Sequence, residues 1–312
     1  MQPERDLVVI GAGAAGLSAA QHAAEANLDV LLVEEMASGG QSLAINRLVN
    51  FPGFPEPLSG VDFSMRLEKQ TRGFGVAMLN NTVTALKRED DNFKLDTPKG
   101  EISCRAVILS TGSRTMKLMV PGEEEFTGRG VSYCAACDGP FFKNRRIMVV
   151  GGGDSACDEA VYLAGLSDRV TLIHRRDRLR ARPALAARVT ANPHITVHFN
   201  SAIREIRGQN KVQSVLIEDL LSGELREQDI DAVFVFIGAS PRTDLVPHVK
   251  KDEAGRILTN GLMETSVPGL FAAGEVRNTP FRQLVVAAGE GAVAAMSAAR
   301  YIAILKGEAY DS

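Results

Sequence analysis

The chain has 312 residues, 45% of them apolar and 23% charged, with a formal net charge of −3. That length supports two domains with their own cores, and the charge argues against a broad nucleic-acid-binding surface. No apolar run is long enough to span a bilayer, residues 1–6 lack the basic-then-apolar order of a secretory signal, and the four cysteines make no disulfide scaffold. A cytoplasmic protein with one working dithiol is expected.

Residues 7–10, Leu-Val-Val-Ile, are a β-branched apolar run typical of a buried parallel strand. The loop Gly11-Ala12-Gly13-Ala14-Ala15-Gly16 follows, then an alanine-rich helix over 17–26 and a strand over 29–33 that ends in Glu34. Glu34 stands 23 positions after Gly11, close to the spacing of a ribose-binding carboxylate. Gly11 permits the tight turn, Gly13 lets the backbone approach a pyrophosphate, and Gly16 allows close helix–strand packing. The helix N-terminus then meets the negative charge. A lone G-x-G-x-x-G also serves ordinary turns, but strand, loop, helix, strand and acid in register specify a dinucleotide site. Gly39-Gly40-Gln41 and Asn50 with Phe51-Pro52-Gly53 read as loops on residue chemistry alone. Short strands alternate over 82–87, 93–96 and 106–109. Cys104 reads as a small buried hydrophobe, and Thr111-Gly112 close the unit in a turn.

Next comes Cys134-Ala135-Ala136-Cys137-Asp138-Gly139. Two cysteines separated by two small residues can close a short disulfide loop or exchange with a partner's disulfide. A second strand–loop–helix unit follows. The strand 147–150 leads into Gly151-Gly152-Gly153-Asp154-Ser155-Ala156, with Ala156 in the third glycine position, then a helix over 158–166 and a strand over 170–173. Where the first unit has Glu34, this one has His174-Arg175-Arg176, with Arg180 four residues after Arg176. A carboxylate there accepts from a ribose 2′-hydroxyl, whereas arginines accommodate a 2′-phosphate, which their planar fork suits. This unit should therefore prefer NADPH to NADH, with Arg178 and Arg182 as solvated basic residues. Cys157 reads as helix packing. A zinc site from the four cysteines is set aside, because only one pair has ligand spacing.

Residues 195–237 return to short strands. Residues 269–275 read as an apolar strand ending in glycine and an acid, and 285–306 as an alanine-rich helix in which Gly289 and Gly291 mark close packing or the helix start. This closing segment is too short for a domain and should complete the first unit. The fold class is therefore α/β: two Rossmann-like dinucleotide-binding domains, the second (114–240) inserted into the first (1–113 and 241–312). Two nucleotide sites and one dithiol point to an electron relay from nicotinamide to flavin to disulfide.

These residues together resemble the low-molecular-weight thioredoxin reductase family, in the family's motif order over nearly the whole chain. The Cys-x-x-Cys-Asp-Gly element between the two nucleotide motifs is the most specific of them. The resemblance implies that the first domain binds FAD and the inserted one NADPH. It also implies FAD contacts from Gln41, Asn50, Arg282 and Gln283, and extends the candidate cofactor set to Ala14, Ala15, Glu35, Gly40, Val83, Thr111, Gly112, Gly274, Glu275 and Leu284. Cys137 would face the flavin, Cys134 would attack the disulfide of thioredoxin or a thioredoxin-like protein, and Asp138 would exchange a proton with a thiol. The family expectation is a homodimer with alternating domain positions about the crossings near 112–116 and 238–241. Two departures stand out. The family usually has Gly-Asp at Gly274-Glu275, and the loop 42–47 is more apolar than the threonine-rich version. Competing readings are a flavin disulfide reductase for a peroxiredoxin or glutaredoxin-like carrier, a small-molecule dithiol oxidase, and a non-enzymatic nucleotide-binding redox sensor or zinc-held interaction module.

Overall fold

A computed structural model describes residues 5–45 and 48–308. Residues 1–4 of the N-terminal reading, and Asn46 and Arg47 of the apolar loop, lie outside them. The chain forms two compact units: residues 1–114 with 240–312, and residues 115–239.

In the first unit the apolar run extends as β1 (Arg5–Ile10). α1 (Ala14–Glu25) begins three residues before the expected 17, because Gly13 is its N-cap and Ala14, Ala15 and Gly16 wind into the first turn. β2 (Val30–Glu34) follows. α2 (Gly60–Gly73), which carries none of the motifs above, is started by Ser59, whose hydroxyl accepts the Asp62 N–H at 3.0 Å. Then come β3 (Ala77–Asn80), β4 (Ala85–Glu89), β5 (Asn92–Thr97) and β6 (Gly100–Leu109). β7 (Ser113–Thr115) carries the chain out.

The second unit contains β8 (Val131–Ser132), α3 (Ala135–Asp138), β9 (Ile147–Gly151) and α4 (Asp154–Ala164). α4 starts four residues before the expected 158, for the same reason as α1: Gly153 caps it. β10 (Val170–Ile173), α5 (Pro183–Thr190) and β11 (Ile195–His198) continue the unit. The antiparallel layer β12 (Ser201–Gly208), β13 (Val212–Asp219) and β14 (Leu225–Asp229) precedes β15 (Ala232–Phe236). β16 (Ala239–Pro241) pairs with β7 where the chain returns. β17 (Leu270–Ala272) and α6 (Leu284–Lys306) close the first unit. Only 270–272 of the expected strand 269–275 is strand. The Gly274 N–H bonds to the Glu290 carboxylate instead of to a strand, and Gly274–Val276 turn as a 3-10 helix.

The two sheets repeat one plan. In the first unit β3-β2-β1-β6 run parallel. β17 joins the C-terminal half of β6 in parallel, and the β4–β5 hairpin joins its N-terminal half. In the second, β11-β10-β9-β15-β8 are all parallel. Apolar clusters cover both faces of each sheet, as parallel strands without solvent exposure require. Each Gly-rich loop leaves the C-terminal end of a parallel strand inside its sheet, β1 or β9, where a doubly wound sheet binds ligands.

Candidate functional site

Each Gly-rich loop has the shape its residues imply. Gly11 (φ 100°) and Gly151 (φ 148°) hold left-handed turns, and a Cβ at either would sit 2.5 Å from Ser110 O or 2.3 Å from Phe236 O. A Cβ on Gly13 would meet nothing nearer than 4.0 Å, and one on Gly153 would meet nothing within 4 Å, so both backbones face open space. Among the described residues no side chain caps α1 or α4, leaving first-turn N–H groups free for an anion. Both cradles therefore fit a dinucleotide pyrophosphate.

In the first unit the candidate residues converge around that loop. Glu34 accepts from Ala12 N–H at 2.6 Å through one oxygen and from Met36 N–H at 3.0 Å through the other. It thus braces the loop, and each oxygen keeps a second lone pair. Gly39 N–H donates to Ala12 O at 2.7 Å, which lays Gly40 against Gly13. Gln41 Nε2 donates to Ser113 Oγ (2.6 Å) and to Glu275 Oε2 (3.2 Å), and Ser113 Oγ donates to the same Glu275 oxygen at 2.6 Å. The longer acid at 275 thus reaches the residue that opens β7. Asn50 Nδ2 donates to Gln283 Oε1 at 2.9 Å. Thr111 Oγ1 donates to Arg242 O at 2.7 Å, and Gly112 O accepts the Arg242 N–H. Glu35 instead pairs with Arg242 at 2.5 Å. Val83 is buried among Val8, Ile10 and Val33. Arg282 is exposed, and Leu284 packs with Ala14 and Phe63.

In the second unit Cys134 and Cys137 are joined in a disulfide. Cys137 is exposed and Cys134 half-buried. Ser132, which the motif reading does not single out, accepts the Cys134 N–H (3.1 Å) and donates to Cys134 O (3.2 Å). A serine two residues before a turn is the local signal for such a bond. The buried Glu123 accepts from Leu118 N–H, Met119 N–H and the Tyr133 hydroxyl at 2.7, 2.7 and 2.8 Å. It anchors the residue next to Cys134 and, with burial as the larger cause, pushes the Tyr133 hydroxyl pKa upward. Nothing in local sequence announces this contact. Asp138 N–H donates to Cys134 O at 3.1 Å, placing its half-buried side chain beside the disulfide loop.

At the nucleotide end of the same unit His174 is 5% exposed, and its ring lies against Gly152, where a Cβ would meet Nδ1 at 2.4 Å. Among the described residues its buried Nε2 has no hydrogen-bond partner, an orphan that a ligand would satisfy. Burial lowers its pKa, and the charges of Arg180, Arg176 and Arg175 lower it further. Those three arginines are exposed and make no ion pair among the described residues. Arg182 is not simply solvated: Asp154 accepts its backbone N–H and its Nε, both at 2.8 Å, fixing the turn beside the loop. Ser155 is exposed on the first turn of α4, and Ala156 packs beneath it.

Cys104 and Cys157 are buried, and desolvation pushes their thiols up to about 12 and about 11. Burial, with Asp158 beside it, also pushes the Glu159 carboxyl up from 4.5 to about 7. Between those values the folded chain binds the extra proton. This group's contribution to stability is therefore present below 4.5 and lost as pH rises through about 7. Among the described residues Glu159 has no hydrogen bond or ion pair to lose. Urea unfolding should find Glu159→Gln more stable than the parent at pH 8 and level with it near pH 4.5; the same gap at both would show that titration is not involved.

Two dinucleotide cradles with a closed Cys-x-x-Cys on the second define a nucleotide-dependent disulfide oxidoreductase. The family model described as pyridine nucleotide-disulphide oxidoreductase matches residues 5–291. A thioredoxin reductase of Treponema pallidum is 50% identical, covering 98% of this chain and 100% of its own. One from Bacillus subtilis is 40% identical over 95% and 94%. The crystal structure of Lactococcus lactis thioredoxin reductase superposes with a TM-score of 0.92 at 39% identity, covering 96% of this chain and 100% of that one. The chain belongs to the thioredoxin reductase family of pyridine nucleotide-disulphide oxidoreductases. It is an oxidoreductase of a flavoprotein family that uses FAD and NADPH. Among the described residues no helix is long and apolar enough to cross a membrane.

Proposed function

We propose that this chain carries electrons from NADPH, through FAD held by the first unit, to its Cys134–Cys137 pair and on to thioredoxin or a thioredoxin-like protein disulfide. The observation that supports the reading is the closed disulfide on the very unit whose nucleotide end presents three unpaired arginines and an orphaned histidine nitrogen. Bound FAD would supply the two-electron chemistry that links NADPH oxidation to disulfide reduction. The first cradle holds it with Gly11, Gly13 and the α1 N-terminus at the pyrophosphate, Glu34 at the ribose, and Gln41, Asn50, Glu275 and Gln283 nearby. The second holds NADPH with Gly153, Asp154 and Ser155 at the pyrophosphate and His174, Arg175, Arg176 and Arg180 at the 2′-phosphate.

Opening the disulfide takes up two electrons and two protons. The Cys134 thiolate then attacks a sulfur of the partner's disulfide, expelling one thiol. Cys137 attacks Cys134 in the mixed disulfide, which releases the partner as a dithiol and restores the ring. Thiolate is the nucleophile throughout. Asp138, held beside the loop, exchanges the proton of the arriving or leaving thiol. Positioned acid–base groups contribute on the order of 10²–10⁴-fold, so Asp138→Asn should slow dithiol reduction about 10²-fold; an unchanged rate removes the role. With thioredoxin near −270 mV, and about 30 mV worth about 1.4 kcal/mol for a two-electron couple, a nicotinamide reductant drives the transfer. In keeping with the family we assign a cytoplasmic homodimer, which sedimentation would test for mass.

The test is to mix the purified FAD-loaded protein with NADPH, a thioredoxin and insulin, and follow NADPH consumption. Consumption that requires thioredoxin supports the reading. Flavin reduction to which thioredoxin adds nothing leaves the relay in place and moves the search to other disulfide carriers. No flavin reduction by NADPH removes the donor assignment.

A further inference from the structure

We propose that the buried Glu290–Arg277 ion pair is a positioning device for the Gly274–Val276 turn at the flavin site. The inference rests on the reading above that Gly274 and Glu275 face the flavin. Glu290 and Arg277 are 8% and 7% exposed. One Glu290 oxygen pairs with the Arg277 guanidinium, and the other accepts the Gly274 N–H at 2.8 Å. Arg277 is itself held, its Nε donating to Thr259 Oγ1 at 2.6 Å and its N–H to Gly274 O at 3.2 Å.

The pair stands where three flavin-site elements meet. β17 hands the chain to the turn at Ala273, whose N–H bonds to Leu109 O of β6. Past Gly274 the turn presents Glu275 to Gln41 and Ser113. Glu290 enters from α6 on the turn that also touches the first Gly-rich loop's helix: a Cβ on the adjacent Gly291 would lie 2.1 Å from Ala15 O. A single carboxylate therefore ties the α1-contacting turn of α6 to the backbone that aims Glu275.

A stability role does not account for it. A buried ion pair barely repays its desolvation, and well-packed apolar substitutes are often neutral or stabilising. What an apolar pair cannot do is accept the Gly274 N–H. That bond turns the backbone out of the sheet, so its loss frees the turn to drift.

The test uses Glu290→Leu/Arg277→Met and Glu290→Asp, with Glu275→Ala as reference. Asp keeps the charge opposite Arg277 but pulls the carboxylate back from Gly274. FAD affinity is measured by titrating deflavinated full-length protein, and visible circular dichroism reads the bound flavin. Both Glu290 variants should weaken FAD binding by about tenfold or more, which is the effect of about 1.4 kcal/mol. The flavin signal should change, while the FAD-free double variant, which leaves the Gly274 N–H without its acceptor, should still unfold in one cooperative transition with a melting temperature lowered by only a few degrees. FAD affinity within twofold of the parent in both Glu290 variants, with Glu275→Ala impaired, overturns the inference and leaves the flavin assignment standing. No loss in any of the three overturns both. A loss that only tracks a lowered melting temperature reduces the pair to a structural one.

Discussion

Replacing Arg175 and Arg176 together with alanine should raise the KM for NADPH about 10²-fold and leave use of NADH within about twofold. The two guanidiniums stand exposed at the end of β10 with no acidic partner among the described residues. The protein's own charges therefore do not explain them, and a ligand phosphate would. A hydrogen bond to a charged group contributes about 1.5–3 kcal/mol. Two lost at an exposed, screened site correspond to about 3 kcal/mol, or roughly 10²-fold. NADH lacks the 2′-phosphate and has nothing to lose there. The variant should also show a weaker dependence of NADPH KM on salt, because screening acts on the contact that has been removed. Steady-state KM values for both nucleotides at two ionic strengths decide it. Equal losses with both would mean that the arginines shape the turn rather than read the phosphate.

Cys134→Ser should abolish thioredoxin-dependent NADPH consumption, a loss of at least about 10³-fold, while NADPH still bleaches the flavin. The remaining cysteines cannot take over. Cys104 lies within β6 and Cys157 within α4, both fully buried, with thiols pushed up to about 12 and about 11. At neutral pH only on the order of 10⁻⁴ or less of such a thiol is thiolate, the reactive form. Cys137→Ser should lose the same turnover, since it leaves no ring to open. The insulin-coupled assay reads turnover, and anaerobic flavin absorbance reads the first half-reaction. Thioredoxin-dependent turnover surviving in Cys134→Ser would place the reactive sulfur elsewhere.

The order of motifs along the chain was enough to recognise a doubly wound α/β protein of this family. The β-branched runs at 7–10 and 147–150, the glycines behind them and the change from Glu34 to His174-Arg175-Arg176 are all local signals. Period and turn chemistry act over a few residues, so they can be read without a fold. Element starts were less legible. α1 and α4 begin three and four residues early because alanine, serine and aspartate after the capping glycine carry no helical periodicity of their own. α2 carries no motif, and only the Ser59–Asp62 cap marks its start.

By itself, then, the sequence determined the two nucleotide loops, the dithiol, and the sign of charge at each strand end, because each is written within some 30 residues of chain. Tertiary structure alone decided which distant groups complete them. Glu123 came to hold the residue beside Cys134, Arg182 to grip Asp154, Glu275 to reach Ser113, and Glu290 to hold the Gly274 turn. For Glu123 and Glu290, both buried, the partners are chosen by burial, whereas Arg182 with Asp154 stays exposed and Glu275 half-buried, their partners set by which loops the fold brings together. Once packing removes water from a carboxylate or an N–H, it must find a bond wherever the fold has placed one, and no local pattern records where that will be.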